Sequence, residues 1–116
     1  HPEEYGTVEY RRITARYADR NRVITSVRFE GESTIVNVRF TNNTISARTL
    51  RVSDLTQLIV NGVAYPIIYT NLRPGIKLAK GASHDYNLVF GYVPRNITSF
   101  TIKEISTPWA TVTSFK

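Results

Sequence analysis

"RVITSVRF" (residues 22–29) and "TIVNVRFT" (residues 34–41) flank the turn sequence "EGES", and apolar residues alternate with polar ones in both. Because successive side chains of a strand point to opposite faces, the alternation predicts two strands, each with one apolar face. Folding the chain at Gly31 pairs them as an antiparallel hairpin with both apolar faces on one side. The predicted pairs are Val23 with Phe40, Thr25 with Val38, Val27 with Val36, and Phe29 with Thr34. The opposite face is predicted to meet solvent and carries Arg22, Ser26, Arg28, Asn37 and Arg39.

Strand signals recur along the rest of the chain. Asn61 and Gly62 predict a type I′ turn between strands at 58–60 and 63–65, because both residues tolerate positive φ angles. Further strands are predicted between residues 5 and 17, in "YNLVFGYV" (86–93) and in "TSFTIKEI" (98–105). Short strands separated by Asn, Gly and Pro predict an all-β fold, an antiparallel two-sheet sandwich that is immunoglobulin-like with about seven strands.

Length and composition limit the domain organisation and the chemistry. The 116 residues predict a single domain spanning residues 1–116, with an Arg-rich N-terminal strand or arm at 1–21 and a C-terminal tail at 107–116. No apolar run is long enough for a membrane-spanning helix. The absence of Cys excludes disulfides and thiolate metal sites. The net charge of +6 favours acidic partners.

The order of four segments resembles a known family. "TIVNVRFTNNT", "LRVSDLTQLIVNGVAYPI", "LRPGIKLAKGASHDYNLVFGYVP" and "SFTIKEI" follow one another within roughly residues 22–106. This order resembles the small immunoglobulin-like domains of bacterial secreted proteins and lipoproteins grouped as the DUF4352 family. The resemblance implies a secreted, periplasmic or cell-surface location and no enzymatic activity. The function expected from it is a non-enzymatic binding or assembly module that contacts another protein.

Ser83, His84 and Asp85 are consecutive and invite comparison with a hydrolase triad. Neighbouring side chains of an extended chain point to opposite faces, whereas a catalytic triad requires three groups that converge. The triplet is therefore interpreted as a solvated turn that leads into a strand. No catalytic residue and no cofactor is expected.

Copper binding is the first alternative function. An N-terminal His offers its α-amine and an imidazole nitrogen to one metal ion, and His84 would add a second imidazole to complete a three-nitrogen Cu(II) site. The hypothesis requires His1 to be the mature terminus. The preferred interpretation has no metal site.

The candidate partner-binding residues are basic or aromatic. They are Arg11, Arg12, Arg16, Arg20, Arg22 and Trp109. The arginines could also bind a polyanion, although acidic neighbours disfavour nucleic acid, which requires a one-signed patch. Trp109, if exposed, would anchor a partner protein. Tyr65, Tyr69 and Tyr92 could join Trp109 as stacking platforms for carbohydrate. Two N-glycosylation sequences occur, at residues 42–44 and 96–98.

Overall fold

The computed structural model describes residues 6–116, which form eleven strands and no helix. The strands are β1 (Val8–Tyr10), β2 (Ile13–Tyr17), β3 (Arg22–Glu30), β4 (Ser33–Thr41), β5 (Arg48–Thr49), β6 (Thr56–Val60), β7 (Val63–Thr70), β8 (Lys77–Leu78), β9 (Ser83–Phe90), β10 (Phe100–Glu104) and β11 (Thr107–Phe115). Every pairing is antiparallel, which confirms the predicted all-β antiparallel class. Within this range no helix is long and apolar enough to cross a membrane.

Nine strands form a nearly closed sheet in the order β1-β3-β4-β9-β7-β6-β10-β11-β2, and β5 and β8 form a small second sheet. The predicted N-terminal strand is divided into β1 and β2 by a two-residue link. In this link the backbone N–H groups of Arg11 and Arg12 both donate to the carbonyl of Lys116, at 3.1 and 3.0 Å. A seven-strand, two-sheet immunoglobulin-like sandwich is therefore not confirmed by the strand order.

β7 connects the two halves of the large sheet. Its first half pairs with β6, and its second half, from Ile67 onward, pairs with β9 across a register shift. At the β6–β7 turn Asn61 has φ 49° and Gly62 has φ 79°, which are the two positive angles that a type I′ turn requires. The Asn-Gly hairpin is thus confirmed.

The β3–β4 hairpin has the predicted register near its turn and a different one further away. Val27 pairs with Val36 and Phe29 with Thr34, as expected. A β-bulge between Ile24 and Ser26 then shifts the pairing by one residue, so that Val38 lies opposite Ile24 rather than Thr25. Since a one-residue shift exchanges the two faces of a strand, the predicted faces are wrong here. Ile24 is buried and Val23 is exposed, the reverse of the prediction, whereas Ser26 stays on the predicted outer face opposite Asn37.

β11 corrects the expectation of a C-terminal tail. It pairs with β10 on one side and with β2 on the other. Its side chains Trp109, Ala110 and Val112 belong to the hydrophobic core, together with Val27, Val36, Val38, Leu58, Leu88, Phe90 and Ile102. Residues 107–116 therefore complete the core.

Asn42 anchors the loop that follows β4, although it is polar and fully buried. Its Nδ2 donates to the carbonyls of Ser46 and Leu78, each at 2.9 Å. Its Oδ1 accepts from the N–H and the hydroxyl of Thr44, at 2.9 and 2.6 Å. All four hydrogen-bonding positions of the side-chain amide are therefore used. Asn42 has no nitrogen available for a glycan in the folded protein, whereas Asn96 is exposed.

Candidate functional site

The β10–β11 turn presents an isoleucine to solvent in a strained conformation. Ile105 has φ 59°, in the left-handed region, and its side chain is 65% exposed. A left-handed conformation is rare for a β-branched residue, because Cβ approaches the following carbonyl oxygen at a cost of about 1–2 kcal/mol. Glycine or asparagine would adopt this angle more easily. The fold therefore bears a conformational cost at an exposed apolar side chain that contributes little to the core.

Leu55 extends the same apolar surface. The N–H of Ile105 donates to the carbonyl of Leu55 at 3.2 Å, and Leu55 is 60% exposed. An open groove of about 650 Å³ lies beside them, with Arg51, Asp54 and Glu104 in its lining. We call Leu55 and Ile105 the apolar tip. It combines an apolar centre with a charged rim, as protein–protein interfaces do.

The five candidate arginines are not gathered into one patch. Arg11 forms an ion pair with Glu9 at 2.9 Å, and Arg22 forms one with Glu104 at 3.1 Å. Arg12, Arg16 and Arg20 are exposed and have no ion pair with any residue in the range 6–116. Arg11 and Arg22 line two separate grooves.

Trp109 lies in the core rather than on the surface. Only 4% of it is exposed, and the guanidinium of Arg22 covers its ring at 4.3 Å from the ring centre. The indole therefore cannot reach a partner protein, and the hypothesis of a surface anchor at this residue is wrong. Among the tyrosines considered as stacking platforms, Tyr65 packs against the core, whereas Tyr69 and Tyr92 are exposed.

The Ser83–Asp85 triplet lies inside β9, not in a turn. Each member faces a β4 residue: Ser83 pairs with Thr41, His84 with Phe40 and Asp85 with Arg39. The guanidinium of Arg39 donates to both carboxylate oxygens of Asp85, at 2.8 and 3.1 Å. These hydrogen bonds hold the pKa of Asp85 below its usual range and raise the pKa of Arg39. The three side chains do not converge on a common point.

The copper hypothesis cannot be followed to its first ligand, because His1 lies outside the described residues. His84 is half-buried in β9. Residues 6–116 contain no cluster of three or more His, Asp or Glu that could hold a metal ion.

A row of three asparagines crosses the outer surface of β4, β9 and the end of β7. Asn37 of β4 lies opposite Asn87 of β9. The N–H of Asn71 donates to Asn87 Oδ1 at 3.1 Å, and the N–H of Asn87 donates to Asn71 Oδ1 at 2.8 Å. Asn37 Nδ2 donates to the hydroxyl of Ser26 at 2.7 Å. We call this surface, with Asn37, Asn71 and Asn87 at its centre, the amide face.

The reciprocal bonds fix which way two of the amides point. A backbone N–H is only a donor, so the atom facing it must be Oδ1, and Nδ2 must point away. Within residues 6–116 the Nδ2 groups of Asn71 and Asn87 have no hydrogen-bond partner. Asn37 and Asn71 line a groove of about 350 Å³ together with the ion pairs Glu9–Arg11 and Arg39–Asp85, and Asn87 is the β9 residue paired with Asn37.

Sequence reasoning did not identify the apolar tip or the amide face. The signal available for a strained residue was the turn Glu-Ile-Ser-Thr at 104–107. It contains neither Gly nor Asn, the residues that adopt positive φ angles most easily in turns. The asparagines carried no comparable signal. Their pairing depends on the register between β7 and β9, which are distant in sequence.

A separate cleft of about 220 Å³ combines both charges with a buried phenol. It is lined by residues that include Asp19, Arg22, Arg48, Tyr86 and Glu104. Burial raises the pKa of Tyr86 to about 12. The neutral phenol is thus the form that the folded state favours.

Because the pKa of Tyr86 is raised, the free energy of unfolding should change with pH in the alkaline range. Its contribution is fully present below the unfolded pKa near 10 and is lost as pH rises toward 12, because the unfolded chain ionises first. We expect a loss of about 2–3 kcal/mol over this interval. Denaturant unfolding at pH 8 to 12 should show a smaller decline for Tyr86→Phe. Identical declines in both proteins would contradict the assignment.

No family model, no curated protein and no solved structure matches this chain.

Proposed function

We propose that this chain is a non-enzymatic binding or assembly module of a secreted or envelope-associated bacterial protein, acting through protein–protein contacts. The observation that carries the proposal is Ile105, a strained and exposed apolar residue beside exposed Leu55. Strain of this kind is characteristic of functional positions, because it persists only where the structure over-determines it. A partner that covers both side chains would bury apolar surface that is exposed to water in the free protein.

The net charge of the chain favours a partner with acidic groups, although the rim of the apolar tip carries both signs. Arg51 lines the same groove, and the net charge of the chain is +6. Asp54 and Glu104 also lie at this rim, so charge complementarity there would determine orientation as well as attraction.

The immunoglobulin-like architecture is part of the same proposal. β7 changes partner from β6 to β9 across a register shift, and strands that switch sheets at bulges form the corners of packed sandwiches. The proposed secreted, periplasmic or cell-surface location rests on the resemblance to DUF4352 domains.

Replacing Ile105 with asparagine should stabilise the fold and weaken partner binding together. Asparagine tolerates the left-handed angle, so we expect a gain of about 1 kcal/mol in the free energy of unfolding. A photoreactive amino acid at position 55 should yield a discrete crosslinked product in the native host. Ile105→Asn should abolish that product, and mass spectrometry should identify the partner.

Ile45→Asn is the matched control, because Ile45 is 89% exposed and has no positive φ angle. It should change neither stability nor crosslinking. A crosslink that survives Ile105→Asn would contradict the proposal. Loss of the crosslink in Arg12→Glu/Arg16→Glu alone would instead favour polyanion binding by these exposed arginines, which is the second candidate function.

A further inference from the structure

We propose that the amide face binds a neutral glycan, and that this site is independent of the apolar tip. The first argument is the orientation of its donors. Both Nδ2 groups, of Asn71 and Asn87, are held in place by hydrogen bonds from backbone N–H groups to their Oδ1 atoms. A ligand oxygen that accepts from them meets donors whose positions are already set, so little conformational entropy is lost on binding.

The second argument is the mixture of donors and acceptors. Asn37 uses its Nδ2 on Ser26, which leaves its Oδ1 without a partner in residues 6–116. The row therefore offers two amide donors and one amide acceptor across neighbouring strands. A sugar hydroxyl both donates and accepts, so adjacent hydroxyl groups match such a row. A phosphate or sulfate, which only accepts, leaves the Asn37 oxygen unmatched.

The third argument is the aromatic surface beside the amides. Tyr69 is 60% exposed and lies two residues before Asn71, at a spacing of about 7 Å along the strand. Tyr69 pairs with Val89 of β9, and Val89 pairs with Ile35 of β4. The three side chains therefore lie side by side on the outer face of the sheet. A sugar ring has polar edges and an apolar face. Tyr69 could take the apolar face by stacking while the asparagines bind the hydroxyl groups.

The fourth argument is charge. Although the whole chain carries +6, the ionic groups of this groove balance, since Glu9 pairs with Arg11 and Asp85 with Arg39. An anionic ligand would gain no net attraction here. A neutral polyhydroxylated chain meets no unpaired charge, and the paired carboxylates and guanidinium groups can still accept from or donate to its hydroxyls.

The test combines the purified protein with soluble neutral polysaccharides, namely β-1,3-glucan, xyloglucan and galactomannan, and with heparin as the anionic probe. Native affinity electrophoresis should show retardation by at least one neutral polysaccharide. Titration followed by NMR should place the shifted amide signals at residues 37, 69, 71 and 87. Heparin should leave these signals unchanged.

Asn71→Asp is the decisive variant, because Asp keeps the oxygen that accepts from the Asn87 N–H and replaces only the projecting amino group. It should fold normally and bind the neutral polysaccharide at least 10-fold more weakly, and Tyr69→Ala should do the same. Asn96→Asp, on an exposed loop, should bind normally, as should Ile105→Asn. Retardation by none of the three neutral polysaccharides, or equal binding by Asn71→Asp, would overturn the inference.

Discussion

Replacing Trp109 with alanine is expected to lower the free energy of unfolding by about 3–5 kcal/mol. Trp109 is 4% exposed and packs within the core, where truncation removes apolar contacts and leaves a cavity. The ring also supports the guanidinium of Arg22, which is half-buried and paired with Glu104. Loss of the indole would therefore disturb an ion pair as well as the core.

Denaturant unfolding followed by circular dichroism measures this loss without relying on the fluorescence of the single tryptophan. Trp109→Phe is the matched control, because it keeps an aromatic ring and most of the apolar contact, and it should cost clearly less. A change below about 0.5 kcal/mol for Trp109→Ala is typical of an exposed site. That result would indicate that Trp109 lies at the surface. It would contradict the packing of β11 against the core.

Replacing Asn42 with alanine is expected to cost about 2–4 kcal/mol, because each buried polar group left without a partner costs about 1–3 kcal/mol. The side chain satisfies the carbonyls of Ser46 and Leu78 and the N–H of Thr44. Alanine would leave the Leu78 carbonyl and the Thr44 N–H without these partners, whereas the Ser46 carbonyl could still accept from the hydroxyl of Thr44 at 2.8 Å. The backbone bonds of residue 42 to Gly81 and Ala82 would remain, so the loop after β4 would lose only the side-chain part of its attachment to the segment around β8.

Asn96→Ala is the matched control for this experiment, since Asn96 is exposed and its loss should change stability by no more than about 0.5 kcal/mol. Equal stabilities of the two variants would contradict the buried network. In a host that glycosylates both sequences, a glycan at Asn42 should block folding, whereas one at Asn96 should be tolerated. Mass spectrometry of the folded fraction would show which position is modified.

Local patterns were sufficient to predict much of the sheet. The β3–β4 hairpin and the Asn-Gly turn follow from alternation and turn chemistry, and both involve residues close in sequence. The bulge at Ile24–Ser26 did not follow, because Val23 and Ile24 are both apolar and alternation alone cannot decide which one faces the core. Contacts with the rest of the fold make that choice.

β11 was misjudged for a different reason. "TPWATVTSF" contains four polar hydroxyl residues and was interpreted as a tail. Threonine is β-branched and favours strands. The segment supplies Trp109, Ala110 and Val112 to the core, but the register shift beside Trp109 breaks the simple alternation. The candidate sites were harder still. The strain at Ile105 and the Asn71–Asn87 pair depend on backbone angles and distant registers that a single sequence does not encode locally.

The near closure of the large sheet affects how the protein behaves at high concentration. An open sheet exposes a row of backbone groups to which another chain can add a strand, and such edges promote aggregation. Here β1 has three residues, and the link to β2 is bound to Lys116. Beyond β1, the N–H of Ile24 donates to the hydroxyl oxygen of Tyr17 at 3.0 Å, so it is not free to pair with another strand. The fold therefore leaves little template for edge-to-edge association, which favours solubility for a protein with an exposed apolar tip.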